Sequence, residues 1–240
     1  MSSAEHDPGC TTSRASLLCL LLCGCSVPSP SPDKPEGCPD EMVAIEGGAY
    51  AIGEQHIGQT WHEPLKQLVL KDFCIDRYEY PNKKGEKPQG VLNWDEAQAR
   101  CTAAGKRLCT SAEWERACRG PDRNRYSYGP ERDATACNTP IVGGGPGLEP
   151  VPIQPSGSHE RCRSAEGVYD LNGSLSEWVS DPWTGAPEPF NADQTVDPRR
   201  WRMLRGGTMW DKTFYGQDCT SRHGHKITFE SQDDGFRCCR

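Results

Sequence analysis

Gly167-Val-Tyr-Asp-Leu-Asn-Gly-Ser-Leu-Ser-Glu-Trp-Val-Ser-Asp181 is the stretch on which the reading of this chain turns. Asp170 and Glu177 are hard oxygen donors, and Asn172 and Gly173 between them turn the chain sharply. Val168, Tyr169, Leu171, Leu175, Trp178 and Val179 anchor both ends in a core. A loop bent between two carboxylates, with backbone carbonyls turned inward, is a cradle for a hard cation such as Ca²⁺. The competing reading is an ordinary turn with its acids in solvent, because the spacing is far from an EF-hand pattern.

The chain around this stretch is loop-rich. Its 240 residues suit one domain plus extras, and 35% hydrophobic content with 25 Gly and 20 Pro argues against a helical bundle or a parallel sheet. With 27 basic and 34 acidic residues the net charge is −7, which excludes a general nucleic-acid-binding surface. The densest basic run, Arg199-Arg200-Trp201-Arg202, reads as a solvated face.

Fourteen cysteines fall into two groups. Cys10, Cys19, Cys23 and Cys25 lie in the N-terminal segment, and ten more run from Cys38 to Cys239. Ten thiols scattered through a domain point to an oxidising compartment. Zinc sites draw ligands from close pairs, and no C-x2-C pair occurs in the body, so five disulfides are expected.

Residues 15–25 form a short apolar run, too short to span a bilayer but suited to a signal-peptide core. It ends in Leu22-Cys-Gly-Cys25, which resembles a bacterial lipobox and implies lipidation of Cys25. Arg14 is the only basic residue before it, set against Glu5 and Asp7, a departure from the usual basic start. The expected organisation is a signal peptide over 1–25, a Pro/Ser-rich tether over 26–37 and a globular domain over 38–240. That organisation places the domain on a bacterial cell envelope, lipid-anchored at the outer membrane or periplasmic face.

Inside the domain, Met42–Gly53 reads as a hairpin about Gly47-Gly48, and Leu65–Tyr80 as a strand pair or a strand and bend. Asn93 with Glu96, and Thr110 with Glu113, are capping signals for two helices that stop at Gly105 and before Gly120. Trp94, Ala97, Cys101 and Ala104 share one helical face, and the second helix runs through Trp114, Ala117 and Cys118, with Cys118 on its apolar face. Gly120–Ser164 is a long irregular loop with a glycine run at 143–147, and Pro182–Arg200 is a second, polar loop. Met203–Thr208 reads as a short strand, His223-Gly-His225 as a solvated loop.

Eight motifs then stand in an order that resembles the formylglycine-generating enzyme, or sulfatase-modifying factor, family. They are Met42-Val-Ala-Ile-Glu-Gly-Gly48, Ile75-Asp-Arg-Tyr-Glu79, Gly105-Lys-Arg-Leu108, Ser111–Gly120, Gly167-Val-Tyr-Asp170, Glu177-Trp178, Leu204-Arg-Gly-Gly-Thr208 and Gly235-Phe-Arg-Cys238. The resemblance spans about residues 38–240. It implies an α+β fold of low secondary-structure content, related to C-type lectins and here stapled by disulfides.

The resemblance also assigns residues. One calcium site of the family corresponds to the side chains of Asp170 and Glu177 with the carbonyls of Gly173 and Leu175. Ser174 stands where the family has Asn. At a further calcium site Asn138 and the Thr139 carbonyl match, but the acidic partner would fall in the glycine run near Gly145, so that site is lost or rebuilt. Cys101 is expected to pair with Cys238, Cys118 with Cys219 and Cys137 with Cys162, while Cys38, Cys74, Cys109 and Cys239 stay unassigned. The two longest loops would each add about 4 kcal/mol in the chain-entropy model.

The chemistry departs from the family. Its enzymes oxidise a substrate cysteine with copper on two thiolates, placed just after the Arg-Gly-Gly strand. Here Asp211 holds the first position and Gly216 or a neighbour the second, and Cys219 matches a structural cysteine, so no copper site is expected. Asp211, His223 and His225 could serve a different metal, since carboxylate and imidazole suit iron or zinc, but the solvated-loop reading of the histidines is preferred. Thr208, Trp210, Asp211 and Arg222 match or adjoin the family's substrate groove and are the expected ligand cleft. The expected function is a non-catalytic, membrane-tethered, Ca²⁺-holding module for a protein or small-molecule ligand. The alternative is an oxidoreductase of the same family with altered active-site chemistry.

Overall fold

A computed structural model describes residues 37–55, 62–139, 151–185, 195–207 and 217–240. In it Asn93 and Thr110 each open a helix: α1 is Trp94–Ala103 and α2 is Ser111–Arg119. Both starts are complete capping boxes. The Asn93 side chain accepts from Glu96 N at 3.1 Å, and the Glu96 carboxylate accepts from Asn93 N at 3.2 Å. Thr110 and Glu113 repeat the exchange at 3.2 and 2.8 Å. Each box satisfies backbone N–H groups that the first helical turn leaves without partners.

The strands are β1 (Met42–Ile45), β2 (Gly48–Ile52), β3 (Lys66–Leu70), β4 (Phe73–Asp76), β5 (Arg107–Leu108), β6 (Ser176–Pro182), β7 (Trp201–Arg205), β8 (Arg222–Lys226), β9 (Asp234–Phe236) and β10 (Cys238–Cys239). One sheet runs β1-β4-β10-β5, a ribbon pairs β2 with β3, and a second four-stranded sheet runs β8-β7-β6-β9. In that second sheet β6 and β9 are parallel, with Glu177 opposite Gly235.

The hairpin expected about Gly47-Gly48 does not form. β1 pairs with β4 and β2 with β3, so residues 42–52 and 66–76 make one antiparallel ribbon with a shared bend. Gly47 serves that bend by close approach: a Cβ there would sit 2.4 Å from the Leu70 carbonyl oxygen. The expected loop at His223-Gly-His225 is instead the centre of β8, and His225 is buried. A strand there is imposed by the five-residue ladder to β7, which local sequence does not announce. The basic run is solvated only at Arg199 and Arg200: Trp201 begins β7 and is 2% exposed. Trp183, inside the expected polar loop, is also buried.

The core joins α2 to both sheets through Trp114, Trp183, Trp201, Ile45 and Ile75. A neighbouring cluster seats α1 through Trp94, Ala97 and Cys101 against Trp178 and Phe236. Five disulfides close the domain: Cys38–Cys74, Cys101–Cys238, Cys109–Cys239, Cys118–Cys219 and Cys137–Cys162. Two of them tie α1 and α2 to the C-terminal segment.

Candidate functional site

The Gly167–Asp181 stretch folds back on itself because four of its residues take positive φ. These are Gly167 (90°), Asp170 (61°), Gly173 (79°) and Ser174 (61°). Gly173 has no substitute, since a Cβ would lie 2.3 Å from the Asn138 carbonyl oxygen. Asn172 does more than turn the chain. Its Oδ1 accepts from Ser127 N at 2.8 Å and its Nδ2 donates to the Gln217 carbonyl at 2.9 Å, tying three loops together.

The carboxylates face inward. Glu177, fully buried on β6, accepts two hydrogen bonds from Arg237, each 2.6 Å, and one from Trp114 Nε1 at 2.8 Å. Asp170 accepts from Gly157 N at 2.7 Å. A third acid, Glu79, accepts from Leu175 N and from Ser174 Oγ, both at 3.1 Å. Burial and then the charges of Asp170 and Glu177 hold the Glu79 carboxyl well above its usual range. Burial, with the Glu177 charge adding to it, pushes Asp170 up to about 6, against the Gly157 hydrogen bond and Arg237. Three buried carboxylates therefore share one guanidinium, Arg237.

Asp170, Gly173 and Leu175 lie in the loop, and Glu177 stands just beyond it on β6. Glu79 and Arg237 were missed as members of the cluster, although both stand in quoted motifs. Asn138 and Thr139 adjoin the loop: the Asn138 carbonyl accepts from Ser174 N at 3.0 Å, while its side-chain amide donates to Pro152. The glycine run near Gly145 lies outside the described residues, as do Cys25, the signal segment and all but Gly37 of the tether.

Of the expected cleft, Thr208, Trp210 and Asp211 also lie outside the described residues. Arg222 is held by Glu63 at 3.2 Å and stacks over the Trp183 ring at 5.1 Å. A different concavity opens beside Gly167 and Tyr169, a groove of about 1190 Å³ lined by Arg77, Lys84, Tyr128, Glu131 and Arg163 among others. It is assembled from separate loops, so no local spacing marks it. Every cysteine from Cys38 to Cys239 is in a disulfide, which leaves no thiolate among the described residues. The remaining stretches after residue 37 contain no cysteine.

Two helices, short strands and a disulfide-stapled frame of long loops define the formylglycine-generating-enzyme architecture, a relative of the C-type lectin fold. PvdO from Pseudomonas aeruginosa superposes on it with a TM-score of 0.62 at 19% identity, over 83% of this chain and 93% of PvdO. The sulfatase-modifying factor enzyme 1-like domain matches residues 79–240, and the chain belongs to that family. The formylglycine-generating enzyme of Bos taurus is 30% identical over 301 residues, covering 89% of this chain and 77% of the enzyme. The inactive C-alpha-formylglycine-generating enzyme 2 of Bos taurus is 30% identical over 171 residues, covering 65% of this chain and 51% of that relative.

Proposed function

We propose that this domain is a non-catalytic binding module, built on the sulfatase-modifying-factor scaffold, ordered by Ca²⁺ and displayed from a lipid anchor at Cys25. One observation carries the non-catalytic part. All ten cysteines of the domain are committed to disulfides. Cys219, which follows the Arg205-Gly-Gly segment, is closed on Cys118. Copper held by two thiolates does not fit such a chain. The similarity to a relative described as inactive agrees with this reading.

Calcium fits better. Glu79, Asp170 and Glu177 surround a single guanidinium in the interior, and a divalent cation offsets the excess negative charge. Asp170 and Glu177 would hold it with the carbonyls of Gly173 and Leu175. Its contribution is to the order of the loop. The ligand is a protein or small molecule, for which the groove beside Tyr169 and the segment around Trp210 are the two candidate surfaces. Display at the envelope rests on the Leu22-Cys-Gly-Cys25 signal and the Pro/Ser-rich tether behind it.

Aerobic incubation of the purified chain with Cu(I) and a sulfatase-motif peptide tests the reading. No peptide aldehyde is expected beyond the protein-free control. Aldehyde formed in proportion to protein would sink the binding-module reading and restore the oxidoreductase one.

A further inference from the structure

The second four-stranded sheet carries a cluster that neither the calcium loop nor the ligand cleft uses. His223 and His225 are two apart on β8, so their side chains leave the same face of the strand. The opposite face is filled. A Cβ at Gly224 would lie 2.0 Å from Cγ of Trp183, so the indole pins the strand and fixes which way the histidines point. Their rings are 5.0 Å apart.

Asp234 opens β9, at the far edge of the sheet, yet its Oδ2 lies 3.1 Å from His225 Nδ1. One ligand atom from each of His223, His225 and Asp234 falls within 4.8 Å of the others. Asp234 is fully buried, and its Oδ1 has no hydrogen-bond partner among the described residues. A buried carboxylate oxygen without a donor is costly, and a cation is one group that satisfies it. Arg202, opposite His225 on β7, does not fill that role: its guanidinium donates to the Pro198 and Trp201 carbonyls and lies over the Trp94 ring. Trp178 and Phe229 pack around His225, while His223 is only half-buried and gives the cluster its access to solvent. A neutral imidazole offers a ring-nitrogen lone pair to a metal ion.

We propose that His223, His225 and Asp234 form a binding site for a divalent first-row transition-metal ion. Two imidazoles and one carboxylate are the ligand set of mononuclear iron and of catalytic zinc centres, and they leave coordination positions open on the His223 side. The class differs from that of the calcium loop, where oxygen donors alone are offered. The two sites are therefore separable by metal and by mutation.

Cobalt(II) is the probe, because its visible absorption reports nitrogen and oxygen ligation directly. The full chain, carrying no affinity tag, is titrated with Co²⁺ and then challenged with Zn²⁺ and with Ca²⁺. Saturation at about one equivalent, reversed by Zn²⁺ but not by Ca²⁺, is expected. His223→Ala and Asp234→Asn should each weaken Co²⁺ binding at least about ten-fold. His223 is half-buried, so its variant keeps the test decisive even if Asp234→Asn fails to fold. Absence of a saturable band, or a band of equal affinity in His223→Ala, would overturn the site and leave an Asp–His hydrogen-bonded pair.

Discussion

Two buried charge clusters meet at Trp114, and they are balanced differently. On one side the Arg205 guanidinium lies over the indole ring at 5.4 Å, while its Nη2 pairs with Glu115. There three carboxylates, Glu54, Glu63 and Glu115, meet the guanidiniums of Arg119, Arg205 and Arg222, and Lys66 reaches Glu63 from the surface. On the other side the indole N–H donates to Glu177, and three carboxylates share Arg237 alone. A buried charge is sustained when an opposite charge stands beside it, and in the first cluster every acid has a cation. The second carries surplus negative charge. The difference separates an ion network whose acids are each paired from a cluster in which three acids share one cation.

The largest expected effect breaks the balanced side. Glu115→Ala leaves Arg205, whose side chain is 0% exposed, without its carboxylate, and should cost about 3–5 kcal/mol. That loss, read by urea denaturation, should be the same in Ca²⁺ and in chelator. Asp170→Asn keeps an acceptor for Gly157 N, so in chelator it should cost less than about 1 kcal/mol. In Ca²⁺ it should forfeit the metal-dependent gain. Equal and Ca²⁺-insensitive losses in both variants would erase the distinction between the clusters. Glu177 is unsuitable for this comparison, because removing it strands Arg237 whether or not metal is present.

The same contrast explains what the sequence discloses. Helix starts were legible because Asn93–Glu96 and Thr110–Glu113 act within one turn. Asp170 and Glu177 were legible because one stretch carries both. Glu79 and Arg237 reach that stretch from 96 and 60 residues away, and nothing local marks them as partners. The same limit hid the charges of α2, which buries Glu115 and Arg119 along with Trp114, Ala117 and Cys118. At Gly47 a glycine read as a turn serves a close backbone approach instead. His223-Gly-His225 carries no apolar alternation, so its burial as a strand follows only from the ladder to β7 and the indole on Gly224.

A smaller effect is read by pH at Asp218, a buried acid outside both clusters that pairs with His62 and Arg125. Burial alone would raise Asp218, but its ion pair with His62 and hydrogen bonds from Thr220 and Ser221 hold it at about 2. An aspartate ordinarily titrates at 3.8, so the folded state favours the carboxylate. Its contribution is fully present above pH 4 and is lost as pH falls through about 2, worth about 2 kcal/mol. Asp170, in the surplus cluster, moves the opposite way, to about 6. Asp218→Asn should therefore be less stable than the parent at pH 7, with the gap closing between pH 4 and 2. A gap that persists unchanged at pH 2 would mean packing, not ionisation, is what Asp218 supplies.

The smallest effect concerns the loop that carries the surplus cluster. Ser174 sits at φ 61°, a conformation that costs an ordinary side chain about 1–2 kcal/mol and that Asn tolerates better. Its hydroxyl donates to Glu79, and an Asn side-chain amide offers a donor from the same backbone position. Ser174→Asn should thus gain roughly 0.5 kcal/mol, part of the left-handed cost. The gain should appear in chelator, because it arises in the backbone and not in metal affinity. Loss of more than about 1 kcal/mol would show instead that the Ser174–Glu79 hydrogen bond and the tight packing around it outweigh backbone strain. In that case the acid-rich cluster is held together by its polar contacts even without a cation, and its difference from the balanced cluster is one of degree.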